Sequence, residues 1–114
     1  MENQAYLRLY EDMFCNKELR KGITDDYVVS FSVPTGHSDL TFNKTIYVKN
    51  TGTHKAYNIT VTKQYDSSNK ATINSKLTSL APKHSGKFKI SIPYSKGEKK
   101  NYQISLNVEY DNIP

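Results

Sequence analysis

The segment from Tyr102 to Tyr110 places Tyr102, Ile104, Leu106, Val108 and Tyr110 on one side of an extended chain, and Gln103, Ser105, Asn107 and Glu109 on the other. Successive side chains of a strand point to opposite faces, so this alternation suits a strand with one face in a core and the other in water. It rules against a parallel sheet, whose strands are apolar on both faces. The same period of two runs through Tyr27, Val29, Phe31 and Val33, through Leu40, Phe42, Ile46 and Val48 with Lys44 as the one break, through Tyr57, Ile59 and Val61, and through Phe88, Ile90 and Ile92. Turn-forming clusters punctuate these runs: Pro34-Thr-Gly36, the polar stretch around Gly52, Tyr65 to Asn69, and Pro82 to Gly86. A weaker segment, Lys70 to Leu80, reads as an edge strand plus a loop. Six such strands in a chain of 114 residues predict a mainly β protein: two antiparallel sheets packed face to face around one core.

Residues 1–22 read differently. Tyr6, Leu7, Tyr10, Met13, Phe14 and Leu19 recur mostly at intervals of three and four, with good helix formers between them. Asn3 suits a helix start, and Arg20, Lys21 and Gly22 suit a helix end. The spacing predicts an added N-terminal α-helix from about Gln4 to Lys21, attached to a sandwich over residues 23–114. On that reading the sandwich folds without the helix, and Tyr6, Tyr10 and Phe14 are available for protein contacts. Cys15 falls in the apolar stripe of the helix and reads as a buried structural thiol.

The net charge of +5 is unevenly distributed: residues 1–39 hold seven acids against four basic residues, and residues 40–114 hold twelve lysines against four acids. Lysines supply sequence-independent phosphate contact. However, the only arginines are Arg8 and Arg20, no nucleic-acid-binding signature is present, and most of the nine tyrosines fall in phase with apolar faces, so nucleic acid is a disfavoured partner.

Catalytic signals are missing. No Gly-x-Ser-x-Gly turn occurs, and Cys15 has no neighbouring base in sequence. The carboxylate pairs Glu11-Asp12 and Asp25-Asp26 are adjacent in sequence and so point apart. The three histidines, His37, His54 and His84, all lie in predicted turns, without the spacing of a metal site. The chain reads as a non-enzyme with no cofactor and no metal. In a reading of consecutive hairpins, loops alternate between the two ends of the sandwich, which brings His54, Lys55, Lys83 and His84 together as a small basic end, with His37 and the basic loop Tyr94 to Lys100 at the other. No apolar run is long enough to cross a bilayer.

Val48-Lys-Asn50-Thr-Gly52, then Ala56-Tyr-Asn58-Ile59-Thr-Val61, then Leu80-Ala-Pro82 with Ser85 and the strand Phe88 to Ile92, resembles the CARDB-like group of bacterial and archaeal immunoglobulin-like domains. The resemblance spans about residues 27–110. It implies an "N-x-G" turn between two core strands, where Gly52 is expected at positive φ, and an "L-x-P-G-x-S" turn before a later strand, where Lys83 replaces the usual glycine. Such domains commonly occur as repeats in large secreted proteins, whereas this chain shows one copy and no leader pattern.

These readings combine into an immunoglobulin-like assembly module that binds a protein partner or itself through its helix or an exposed strand edge. Its expected setting is a homo-oligomeric assembly such as a phage head-tail or tail component, in a virion or the cytoplasm, or at a cell surface if a leader has been removed. The alternatives are a sandwich that binds carbohydrate or another small ligand through loop aromatics such as Tyr65 and Tyr94, and a lysine-driven binder of nucleic acid.

Overall fold

The alternating segments become strands of two antiparallel sheets in a computed structural model that describes residues 4–24, 26–33, 41–93 and 101–114. In chain order the strands are β1 (Leu7–Tyr10), β2 (Arg20–Lys21), β3 (Tyr27–Ser32), β4 (Thr41–Asn50), β5 (Ala56–Asp66), β6 (Thr72–Asn74), β7 (Ser79–Leu80), β8 (Ser85–Pro93) and β9 (Asn101–Asp111). The first sheet has the order β1-β4-β8-β6 and the second β2-β3-β9-β5-β7. Apart from β2–β3, consecutive strands do not pair as hairpins. The chain instead crosses between sheets at nearly every turn, which is the behaviour of a sandwich. His37, Pro34 to Gly36, Asn3 and the loop Tyr94 to Lys100 lie outside the described residues.

Inward positions follow the period of two. Leu9, Ile46, Ile90, Ile92, Ile104 and Leu106 are fully buried, and each contributes about 1.5–3 kcal/mol of hydrophobic stabilisation. Phe31 stacks on Phe42 at 5.6 Å between ring centroids, joining the sheets near one end. The turn after β5 is organised by Asp66. Its carboxylate accepts hydrogen bonds from Ser68 Oγ (2.6 Å), the Ser68 amide (2.9 Å), the Ala71 amide (2.9 Å) and Lys63 Nζ (3.0 Å). Burial works against ionisation of Asp66, but these donors outweigh it and hold the carboxyl at a pKa of about 2.

The helix expected from Gln4 to Lys21 does not form. Residues 7–10 run as β1 beside β4, with Leu7 opposite Asn50 and Leu9 opposite Val48, and no described residue is helical. Two periodicities competed in this segment. Leu7 and Leu9 are both inward and buried while Arg8 between them faces out, a strand pattern that the wider spacing of three and four obscured. Most of the stability of a helix in a protein comes from packing rather than propensity. The strand, in contrast, buries Ala5, Leu7 and Leu9 and covers the edge of β4. Gly22 starts the turn into β3, its amide bonded to the Asp26 carbonyl at 2.8 Å, rather than ending a helix. Cys15 is half-exposed at φ 56° in a turn rather than buried in an apolar stripe, and desolvation raises its thiol pKa.

The segment from Lys17 to Lys21 also closes one side of the sandwich. The Leu19 amide donates to the Leu9 carbonyl at 2.9 Å, Glu18 bridges to Tyr10, and β2 then joins β3 in the other sheet. Glu18 accepts from Arg8 (3.2 Å) and from Tyr27 Oη (3.2 Å), linking β1 to β3. Burial, then the nearby Glu18 charge, pushes the Tyr27 phenol well above its usual pKa. Across the molecule the chain does the same again: β6 pairs with β8, and β7 then pairs with β5. The N-terminal segment therefore adds buried side chains to the core and one edge strand to each sheet.

Candidate functional site

Asn50 ends β4 in phase with Ile46 and Val48, and its side chain is fully buried. It spends every polar atom it has. Oδ1 accepts from the amides of Gly52 (2.9 Å) and Tyr6 (3.2 Å), and Nδ2 donates to the carbonyls of His54 (2.8 Å) and Leu80 (2.9 Å). The Asn50 amide donates to the His84 carbonyl (3.0 Å), and its carbonyl accepts from the Lys83 amide (2.7 Å). One residue thus clamps three segments: the approach to β1, the loop from Thr51 to Lys55, and the turn from Ala81 to His84.

The clamp shows why Gly52 is needed. Its backbone is not in the left-handed region, contrary to expectation. A Cβ at this position would collide with the Gln4 carbonyl oxygen and lie 2.6 Å from the Tyr6 nitrogen, so glycine is required by the close approach of the N-terminal strand. Left-handed geometry occurs instead at Lys83, φ 65°, where L side chains are strained.

The clamp also brings the loops of His54, Lys55, Lys83 and His84 to one end of the sandwich, and all four residues are exposed. His54 contacts Thr53 Oγ1 at 3.1 Å, and Lys55 Nζ lies 5.4 Å from the Tyr57 ring centroid. Tyr6 and Tyr10 are less available than a helix would have made them. Tyr6 is half-buried under the Arg8 guanidinium, 4.7 Å from its ring, and Tyr10 is buried.

Phe14 is the opposite case: it is 74% exposed and its neighbour Met13 is 63% exposed. Both sit at the tip of a turn between β1 and β2 that the Asp12 carboxylate holds together, accepting from the Lys17 amide (2.8 Å) and the Asn16 amide (3.0 Å). The Cys15 amide bonds to the Asp12 carbonyl (3.1 Å), the Glu11 amide bonds to the Lys17 carbonyl (2.9 Å), and Lys17 pairs with Glu11 (3.2 Å). The hydrogen bond from the Lys17 amide is foremost in holding the Asp12 carboxyl below its usual pKa. The result is a fixed knuckle that presents two large apolar side chains to solvent.

Among the described residues no group of three or more His, Cys, Asp or Glu side chains is placed to hold a metal ion, and no helix is long and apolar enough to cross a membrane. The family description CARDB matches residues 24–113.

The chain belongs to the CARDB family.

The match covers the sandwich from the turn before β3 to the end of β9, and CARDB domains are non-catalytic immunoglobulin-like modules. No curated protein and no solved structure matches the chain. In this CARDB domain the "N-x-G" turn is the Asn50 clamp, and the Leu80-Ala-Pro82 turn is its partner across the end of the sandwich. Sequence reasoning took Asn50 for a turn residue, although its phase with Ile46 and Val48 already marked it as a polar side chain on the core face.

Proposed function

We propose that this CARDB domain is a protein-contact module that docks through the Met13-Phe14 knuckle. The observation that carries the reading is the pairing of exposure with rigidity. Two large apolar side chains stand in water at the tip of a turn fixed by at least five backbone and side-chain bonds. Contiguous apolar surface in solvent marks sites of protein contact, and a preordered tip loses little conformational entropy on binding. The partner is another polypeptide, a second copy included, whose surface offers an apolar recess for Phe14. The exposed loops of His54, Lys55, Lys83 and His84 form a separate cationic end that is free to meet acidic groups.

Sedimentation velocity of the wild type against Phe14→Ser, together with crosslinking to proteins of the source cell, tests the reading. The expected result is an association or a specific crosslinked partner that is lost in Phe14→Ser while the fold is unchanged. A wild type that stays monomeric and gives the same crosslinks as the variant refutes it.

A further inference from the structure

The two outer faces of the sandwich differ in chemistry. On the first sheet Arg8, Lys49, Lys87 and Lys89 face outward. On the second sheet the positions Val28, Ser30, Gln103, Ser105, Asn107, Thr62 and Tyr65 form an uncharged floor, and charge lies at its margins, in Arg20 and Lys21 of β2, in Asp26, and in Glu109 and Asp111 near the end of β9. In a chain with 24% charged residues, an uncharged, solvent-facing floor across three strands is a departure from the usual surface.

That face is also shaped. Its floor is low because it is built from serines, and it is flanked on one side by the turn carrying fully exposed Ile23 and on the other by Tyr65, which is 58% exposed. Two adjoining hollows of about 460 and 600 Å³ meet at Gln103. Each lies within the volume range of small-molecule sites.

The register sets the spacing of the groups on the floor. Ser30 is directly beside Gln103, and Tyr65 is directly beside Ser105. Gln103 and Ser105 are separated by two residues along one strand, about 7 Å, and the three strands span about 10 Å. The side chains of Ser30, Gln103 and Ser105 make no hydrogen bonds within the described residues, so their donors and acceptors are available to a ligand. The Gln103 amide offers both functions in one plane. Tyr65 presents a ring face with partial negative charge, suited to the slightly positive C–H groups on one side of a pyranose.

We propose that this face is a binding site for a neutral saccharide of one to three sugar rings, stacked on Tyr65 and hydrogen-bonded to Ser30, Gln103 and Ser105. The site stands on the sheet face rather than in loops, and it is separate from the Met13-Phe14 knuckle. The charged groups that rim one hollow, Arg20, Lys21 and Asp26, are of both signs and stand beside the floor of Ser30, Gln103 and Ser105, so no single ligand charge is favoured. A peptide seeking a strand edge would find these backbone groups already spent in the β3-β9-β5 ladders.

The probe is a printed array of neutral and acidic oligosaccharides, followed by titration of the best neutral hit into isotope-labelled protein with amide chemical shifts as the readout. Expected are shifts centred on Ser30, Gln103, Ser105 and Tyr65. Tyr65→Ala and Gln103→Ala should each weaken binding at least tenfold, while Phe14→Ser and the double variant K87E/K89E leave it unchanged. Tyr65 is exposed, so Tyr65→Ala should keep the wild-type amide dispersion, which separates loss of stacking from loss of fold. Three outcomes overturn the proposal: no neutral saccharide binds at millimolar concentration, only acidic glycans bind, or affinity is unaltered in Tyr65→Ala.

Discussion

Replacing Asn50 by alanine is the most demanding test of how this fold is held together. The substitution removes four side-chain hydrogen bonds at once. The Gly52 amide and the Leu80 carbonyl bond to Asn50 in buried positions, whereas the partners on Tyr6 and His54 are only part-buried. A buried group left without its partner costs about 1–3 kcal/mol, and the part-buried groups recover much of theirs from water. The total is about 3–5 kcal/mol, against about 5–15 kcal/mol for the stability of a whole domain. With a urea slope of about 1.3 kcal/mol/M, the unfolding midpoint should fall by about 2–4 M. Asn50→Asp is a sharper variant, because it keeps the oxygen that accepts from the Gly52 and Tyr6 amides but sets a carboxylate against the His54 and Leu80 carbonyls. It should be at least as destabilising as alanine. Urea unfolding followed by circular dichroism measures both variants. A loss below about 1 kcal/mol for Asn50→Ala would mean that the three segments hold their places without the clamp.

Three further outcomes can be checked with purified protein. Gly52→Ala must push the backbone of Gln4 to Tyr6 away, so it should cost about 2–3 kcal/mol and accelerate amide exchange in β1 ahead of β8; uniform protection would contradict this. Lys83→Gly relieves a left-handed residue, worth about 1–2 kcal/mol, less the roughly 0.5–1 kcal/mol of extra chain entropy that glycine brings. The net effect is a rise in Tm of about 2–5 °C by calorimetry, and a fall in Tm refutes the assignment of strain. Asp66 has a folded pKa of about 2 against an ordinary value of 3.8, so its ionised form stabilises the fold above about pH 4, and that contribution is lost as pH falls through 2. Asp66→Asn should flatten the stability profile between those values, and an unchanged slope in urea titrations would remove Asp66 as the cause.

The β-sandwich could be read from the sequence because its strands are half-buried, and a half-buried strand writes its inside and outside alternately. Tyr102 to Tyr110 does this without a break, and β9 is the strand that pairs with both β3 and β5. The N-terminal segment misled because Tyr6, Tyr10 and Phe14 mimic helical spacing, while the deciding partner, Val48 opposite Leu9, is far away in the chain. Pairing of that kind leaves no local trace. The loops of His54 and His84 were expected at one end from a reading of consecutive hairpins that the strand order does not follow, and what joins them is Asn50, which was read only as part of a turn. The saccharide face was out of reach for a similar reason. Tyr65 was singled out as an aromatic for carbohydrate but placed in a loop, and Ser30 and Gln103 become its neighbours on a sheet face only once the strand order is known.

Ala5 and Asn112 have one more consequence. The Ala5 amide donates to Asn112 Oδ1 at 2.6 Å, so the two limits of the folded unit meet at the clamped end. Any polypeptide joined at either limit would depart from the same end, and the sandwich would stand out from its attachment like a peg instead of lying as a bead along a string. A pull applied between those two points would load β1 and β9 together, at the ends where Leu7 faces Asn50 and Asp111 faces Tyr57, and the β4-β8 ladder would bear little of it.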